Sequence, residues 1–429
     1  MSRKSSTQQS KSAVFHLTRT VFALGSTVGI QSTLGVLFTV TAARIFGASI
    51  SGADLTMIAV ARALATVVQL NMIVVIHRLL PTLQDPRRFV LRAYAITTSL
   101  AVIAALLVVV VGGRFSDVVH DLVRRPFYAV AFVVGVASWN VFALQDIVLA
   151  TLRQGRVMLL ESIAYGLATI ACLFVLRAAG SARPIFLATF LPVVPLVVGV
   201  SWFLFRTAIP ADLQLGVVRR KLDVRRESAL IVGDTIMSTV ELLIRALTPV
   251  LVADWLGTDI AAGYAVASAI AFAMNDLFAS VQRSLATELS RAPEERFHLV
   301  KRSVILIGIG LVPGALLLTA GAPIVLRLFG DEFVRASPYL RIMLFSLIPA
   351  SLTNVALTVA RAQRSIKATV GSLAVAHATA VTLILVLVRE HGVVAVGVAY
   401  LVGWSAALIP SWLFLARQFT TRKVGRNET

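Results

Sequence analysis

The sequence predicts an all-α polytopic membrane protein, with about twelve transmembrane helices in two six-helix bundles around a central cavity. Three observations predict it. Hydrophobic residues make up 58% of the 429 and charged residues only 14%, against roughly 25% charged in soluble domains, and the mean hydropathy is +0.86. Apolar runs long enough to span hydrocarbon as a helix, about 20 residues each, recur along the whole chain. Short polar gaps rich in Arg and Lys separate them. Helices are expected rather than a barrel because the runs are continuous, whereas barrel strands are ~10 residues long and alternate. In lipid the backbone amides have no third option.

The first span, near residues 20–43, follows Arg3, Lys4 and Lys11. It is longer than the roughly 7 to 15 apolar residues of a secretory signal core and lacks an A-x-A-like cleavage site, so it is read as a retained helix. The second, 53–76, closes at Arg78, and the third, 90–112, starts beside Arg87, Arg88 and Arg92. The fourth, 126–150, follows Arg124 and Arg125; the fifth, 157–176, follows Arg153 and Arg156; the sixth, 184–205, ends at Arg206. The longest basic gap runs from Arg206 to Arg226, almost at the midpoint. Beyond it lie six more spans, near 229–252, 259–282, 303–326, 338–360, 366–388 and 393–416. The expected domains are therefore 1–215 and 216–429, a parallel duplication of the kind seen in transporters.

Orientation follows from the 40 Lys and Arg, because cytoplasmic loops retain positive charge during insertion. With the amino terminus inside, 28 fall in cytoplasmic segments and nine outside, leaving Arg62, Arg245 and Arg341 within spans. The expected location is the cytoplasmic (inner) membrane, with both termini cytoplasmic. The net charge of +19 and pI of 11.3 are thus a consequence of topology. They do not form the single basic stripe of a nucleic-acid site, and anionic lipid headgroups are the expected partners.

Enzyme signatures are missing: the sequence has no HExxH, GxSxG, Walker A or CxxC motif. The six His are scattered without ligand spacing, and the one cysteine, Cys172, lies in an apolar span and reads as packing. No cofactor, metal or ATP site is expected, so energy for any transport has to come from an ion gradient, the membrane potential or the substrate's own gradient.

The two halves share a pattern. ARIFGASISGADLTMIAVA from Ala43 is followed by a segment with Asn71 and Arg78, and ADWLGTDIAAGYAVASAI from Ala253 by one with Asn275 and Arg283. Each contains an apolar-Gly turn, a short outer loop, a helix with a central Asn and a closing Arg. These segments, with AGYAVA from Ala262, RLFGDEFVRASPYLRIM from Arg327, ALTVARAQRSIKATV from Ala356 and GVVAVGVAY from Gly392, resemble the Wzx-type polysaccharide or lipid-linked oligosaccharide flippases. That family belongs to the multidrug/oligosaccharidyl-lipid/polysaccharide exporter superfamily. The resemblance implies alternating access and a cargo of undecaprenyl-pyrophosphate-linked oligosaccharide moved between leaflets for surface polysaccharide synthesis. It also implies a polysaccharide polymerase and glycosyltransferases as partners.

Ionisable groups within the spans are the candidate functional residues, because a charge at the bilayer centre costs about 2.5 to 3.5 kcal/mol on insertion scales. Glu241 and Arg245 are four apart on one helical face; they either neutralise each other or line a cavity in which Arg245 takes an anion. Arg62 either pairs with an acid on a neighbouring helix or offers its fork to the pyrophosphate. Asp276 is either a counter-ion or a proton carrier that couples transport, with Glu241 as the second coupling residue. Gln31, Gln69, Asn71 and Asn275, together with Asn140, are the polar side chains placed to meet sugars. Asp146, Glu161 and Asp234 fall near helix ends and read as structural or interfacial, and Arg341 reads as snorkelling. The candidate cavity is nearly charge-balanced, which favours a cation-coupled drug or metabolite antiporter of the same superfamily as the alternative. A membrane glycosyltransferase or polymerase is the other class, and the short outer loops argue against it.

Overall fold

Pro86, Pro126 and Pro338 each stand in the first turn of a long helix, where a fixed φ and a missing amide cost nothing. The computed structural model describes residues 2–69, 72, 75–76, 80, 85–114, 116–152, 154–210, 224–291, 296–363 and 365–424. Side chains are described from Thr33 onward, except 122–123, 224–238, 277, 280, 283–284, 287, 290–291 and 419–424.

The described residues are helical throughout, with no strand among them. Ser2–Val67 is divided by Gly47 (φ 71, ψ 177) into α1 (2–46) and α2 (48–67). There follow α3 (Pro86–Val111), a short α4 (Asp117–Val123), α5 (Pro126–Thr151), α6 (Gly155–Ala178), α7 (Pro184–Phe190) and α8 (Val193–Phe203). A π turn, Leu204–Ala208, continues α8. The second set is α9 (Val224–Leu256), α10 (Thr258–Arg291), α11 (Arg296–Arg327), α12 (Ser337–Ala362), α13 (Ile366–His391) and α14 (Val394–Val424). Each of the twelve expected spans overlaps one of these helices. Nine stretches among the described residues are long and apolar enough to cross a membrane. The protein is an all-α, multi-pass membrane protein.

The helix faces show the solvent. In α3 the buried positions are Pro86, Val90, Ala93, Thr97, Ala101 and Ala105, while Leu91, Ile96, Ile103, Leu107 and Val110 are exposed. Small residues inside and large aliphatic ones outside is the pattern of helices that pack backbone to backbone and offer bulk to acyl chains.

Two compact units emerge. Leu34–Ala265 forms one, and Val266–Thr429 together with Met1–Thr33 forms the other. In the first unit α3 packs on α5, α5 on α8 and α6 on α7. In the second α14 packs against both α13 and α12, and α11 against α12. Polar side chains tie these helices internally: Asn140 Nδ2 on α5 donates to Thr97 and Thr98 Oγ1 on α3 at 3.0 and 3.2 Å. Gln145 Nε2 donates to Val197 O and Ser201 Oγ on α8 at 2.8 and 2.7 Å. In the second unit Ser268 and Tyr339 share a hydroxyl bond of 2.8 Å.

The apolar-Gly turns expected in both halves have a common geometry. Gly47 (φ 71) and Gly257 (φ 97) both adopt positive φ, open to glycine at no steric cost, so each break between successive helices falls on a residue without a side chain. Later landmarks recur in the same order. The short α4 precedes α5 as the 3-10 turn Asp331–Ala336 precedes α12, and Gly180 (φ 63) and Gly392 (φ 65) close α6 and α13.

Close approach also fixes α2 against the start of α10. A Cβ placed on Gly52 would stand 1.9 Å from the Thr258 carbonyl oxygen, and a backbone atom cannot move aside. Gly52→Ala is expected to lower stability by about 3 kcal/mol, the upper end of overpacking costs. Gly35→Ala, on the same Ser2–Val67 segment with nothing within 4 Å, is expected to be neutral or slightly stabilising. Thermal unfolding of the two variants in one detergent measures the difference.

Candidate functional site

Arg62 on α2 is the centre of the site. Its Nη2 donates to the Tyr165 hydroxyl on α6 at 3.3 Å, and that hydroxyl donates onward to Thr189 O on α7 at 3.2 Å. The guanidinium carbon lies 4.2 Å from the centre of the Trp139 ring on α5, a cation–π distance. Two helices besides its own therefore hold the side chain, and a third, α7, anchors the tyrosine. It pairs with no carboxylate among the described residues, and its buried Nε has no acceptor there. Of the two readings open for Arg62, the ion-paired one is not what the described residues show.

The aromatic support continues away from Trp139. Its ring lies 5.4 Å from Phe142, 5.8 Å from Tyr165 and 6.1 Å from Phe190, and Phe186 follows Phe190 at 5.1 Å. Gly135 makes room for this wall, since a Cβ there would meet the Phe190 ring at 2.9 Å. A cation on ring faces, with a donor left over, suits an anionic group whose neighbour stacks.

Other candidates sit elsewhere. Glu241 and Arg245 form the expected pair at 2.7 Å, each about a third exposed. Gln69 is buried, and its Nε2 donates to Asn140 O at 3.3 Å, so both amides serve helix packing. Asn275 is half-buried and Asp276 exposed, both within the second unit. Asn71 lies outside the described residues, as do the side chains of Gln31 and Asp234. Arg341 donates its Nε to Thr319 O at 3.2 Å from an exposed position.

Two features were not anticipated. Asp54, fully buried on α2, accepts the backbone N–H groups of Ile185 and Phe186 at 2.9 and 3.0 Å and a 3.5 Å bond from Arg183. It thereby caps α7, a helix 130 residues distant in sequence, and local sequence carries no sign of this. Ser116, which caps α4 through Val119 N–H, also donates to Asp254 Oδ1 at 3.1 Å. Secondly, Glu161 is only 4% exposed, and among the described residues no hydrogen-bond partner reaches either of its carboxylate oxygens.

With that geometry in view, the solved structures define a class. The chain is similar to the lipid II flippase MurJ in an inward closed conformation, with a TM-score of 0.70 at 11% identity over 92% of this chain and 87% of that one. It is also similar to a variant of the Vibrio cholerae MATE transporter VcmN (TM-score 0.63, 12% identity, 96% and 98% covered). An outward-facing multidrug MATE transporter of the MOP superfamily gives 0.59 at 13% identity over 94% and 96%. At this identity the likeness is one of fold: the chain shares the all-α membrane fold of these solved transporters. No protein-family model and no curated protein matches the chain.

Asp54→Ala is expected to cost about 3 to 5 kcal/mol, the loss seen when one partner of a buried ion pair is removed. Asp54→Asn, which keeps one acceptor oxygen for the two amides, is expected to lose less. Melting temperatures of both variants beside the parent protein provide the check.

Proposed function

We propose that this protein is a flippase that moves a polyprenyl-pyrophosphate-linked oligosaccharide across the cytoplasmic membrane by alternating access. The observation that carries the reading is Arg62: a guanidinium held on Trp139 by Tyr165, without a carboxylate among the described residues. A pyrophosphate supplies the charge that this side chain lacks, and the ring wall offers faces for the first sugar. The polyprenyl chain stays in hydrocarbon throughout. Likeness of fold to a lipid II flippase and to multidrug transporters, none of them an enzyme, supports a transport role.

The six-and-six division at residues 1–215 and 216–429 belongs to the same proposal, supported by the recurrence of positive-φ glycines and short outer turns in both halves. Both termini are placed in the cytoplasm by the distribution of Lys and Arg. Arg245 is a second anion contact and Glu241 its modulator, the 2.7 Å bond setting how much of the guanidinium is free for cargo. Asn275 as a sugar contact and Asp276 as a coupling residue belong to the same proposal. A polymerase and glycosyltransferases acting on the same lipid are the expected protein partners.

The pairing of Glu241 with Arg245 favours one rival, a cation-coupled antiporter, because it removes one of the two positive charges. Proteoliposomes loaded with a fluorescent polyprenyl-pyrophosphate saccharide separate the two. Arg62→Ala is expected to slow flipping about 10- to 100-fold, the equivalent of one charge-assisted hydrogen bond of roughly 1.5 to 3 kcal/mol. Arg62→Lys, which keeps charge but not the flat fork, recovers part of it. Unaltered flipping in both variants, or transport of organic cations instead, refutes the flippase reading.

A further inference from the structure

Ser116 and Gly52 join helices that precede the long basic gap to helices that follow it. Ser116, between α3 and α4, donates its hydroxyl to Asp254 Oδ1 at 3.1 Å, two residues before the end of α9, and α4 packs against α9. Gly52, near the start of α2, faces the start of α10, where an added Cβ would stand 1.9 Å from Thr258 O and 3.1 Å from the amide nitrogen of Ala262. Leu34–Ala265 is accordingly one compact unit, although the gap falls inside it. The distribution of Lys and Arg puts the α1–α2, α3–α5 and α9–α10 connections on the outer side, so both contacts lie at outer ends of helices.

These contacts differ in kind from the ties within the first six spans. Asn140, Gln145 and Asp54 are buried, and parting them from their partners would strand polar groups in hydrocarbon. Asp254 is exposed, so water replaces the serine once the two separate. The oxygen of Ser116 also has two tasks: it accepts Val119 N–H at 3.4 Å and so caps α4, while its hydrogen goes to Asp254. Release of Asp254 therefore leaves the α4 cap in place. At Gly52 the approach is of backbone to backbone, and the buried Thr56 beside it is satisfied within its own helix by Gly52 O at 2.8 Å. That face parts from α10 without cost to the threonine.

We infer that the Ser116–Asp254 bond, together with the Gly52–Thr258 approach, is an outer latch: it holds α4 and α2 to α9 and α10 while the protein is closed to the outside, and it releases when that side opens. The inference deepens the proposed transport function and rests on alternating access for its role. Asp254 is a positioning residue and not a contact for cargo. One charge-assisted hydrogen bond suits the task, since it changes the ratio of closed to open by about tenfold or more, and its two ends are hydrated when it breaks.

The test is a spin-label distance measurement on the full chain in bilayers of phosphatidylethanolamine and phosphatidylglycerol. Nitroxides are attached at Asp121→Cys on α4 and Asp259→Cys at the start of α10, both exposed and outside the latch, in a Cys172→Ala background. Asp254→Ala is expected to raise the ratio of longer to shorter separations about tenfold. Asp254→Asn, which keeps an acceptor for the Ser116 hydroxyl, should raise it less. Circular dichroism shows whether each variant folds, and if Asp254→Ala does not, Asp254→Asn decides. A distance distribution that neither substitution alters overturns the latch.

Cross-linking adds a separate reading. Ser116→Cys paired with Asp254→Cys in the same background should be joined by a short, reducible bis-thiosulfonate. Joining should arrest flipping of the labelled polyprenyl-pyrophosphate saccharide in proteoliposomes until a reductant is added, whereas either cysteine alone, treated in the same way, should continue to flip it. Flipping that proceeds through the cross-link, or a pair that cannot be joined, overturns the latch. If the parent protein moves no saccharide, the proposed cargo fails, yet the spin-label distances still decide whether the outer contact opens.

Discussion

Hydrocarbon offers no hydrogen-bond partner, and most of the polar detail in this protein follows from that single condition. The backbone meets it by being helical. Side chains meet it locally where they can: Thr56, Thr66, Thr97, Thr248 and Thr358 each return their hydroxyl to the carbonyl four residues earlier at 2.7 to 2.8 Å. Larger groups must find a partner on another helix. Asn140, Gln145 and Asp54 do so, and each then fixes the packing of two elements far apart in the chain. Helix association in lipid gains little from apolar burial, since lipid tails are as apolar as leucine. These few bonds and the close contacts at Gly52 and at Gly403, where a Cβ would stand 2.6 Å from the Ala376 carbonyl oxygen, consequently specify which faces meet.

Against that background, a polar group left incomplete is informative. Arg62 and the two acids Asp146 and Glu161 are opposite cases. Arg62 is a cation supported by rings and one hydroxyl, with a donor to spare. The carboxylates are acids set among Leu144, Ile147 and Val148, with acceptors to spare. Glu241 and Arg245 show the contrasting solution, since opposite charges four residues apart satisfy each other on a half-exposed face.

Much of the fold was legible because span length and charge asymmetry are properties of contiguous sequence. The Gly47 and Gly257 turns were equally visible, as each follows an apolar run and begins a polar gap. The Glu241–Arg245 pair was readable from i,i+4 spacing alone. What escaped depends on which helix faces which. Nothing near Asp54 indicates that its partners are the amides of Ile185 and Phe186. The position of Asp146 and Glu161 near helix ends suggests structural or interfacial roles, and gives no sign that Glu161 is as deeply buried as it is. Trp139 and Tyr165 are ordinary aromatic residues of apolar spans until α5 and α6 bring them to Arg62.

The bond from Tyr165 to the Thr189 carbonyl has a mechanical corollary. Tyr165 is the bridge between a guanidinium on α2 and the main chain of α7, so the rotamer of the arginine is geared to the axial position of another helix. A slide of α7 by a single residue rise, about 1.5 Å, would lengthen that bond beyond hydrogen-bonding distance and leave the tyrosine hydroxyl to the arginine alone. The setting of the arginine side chain and the position of α7 are therefore not independent, although no bond joins them directly.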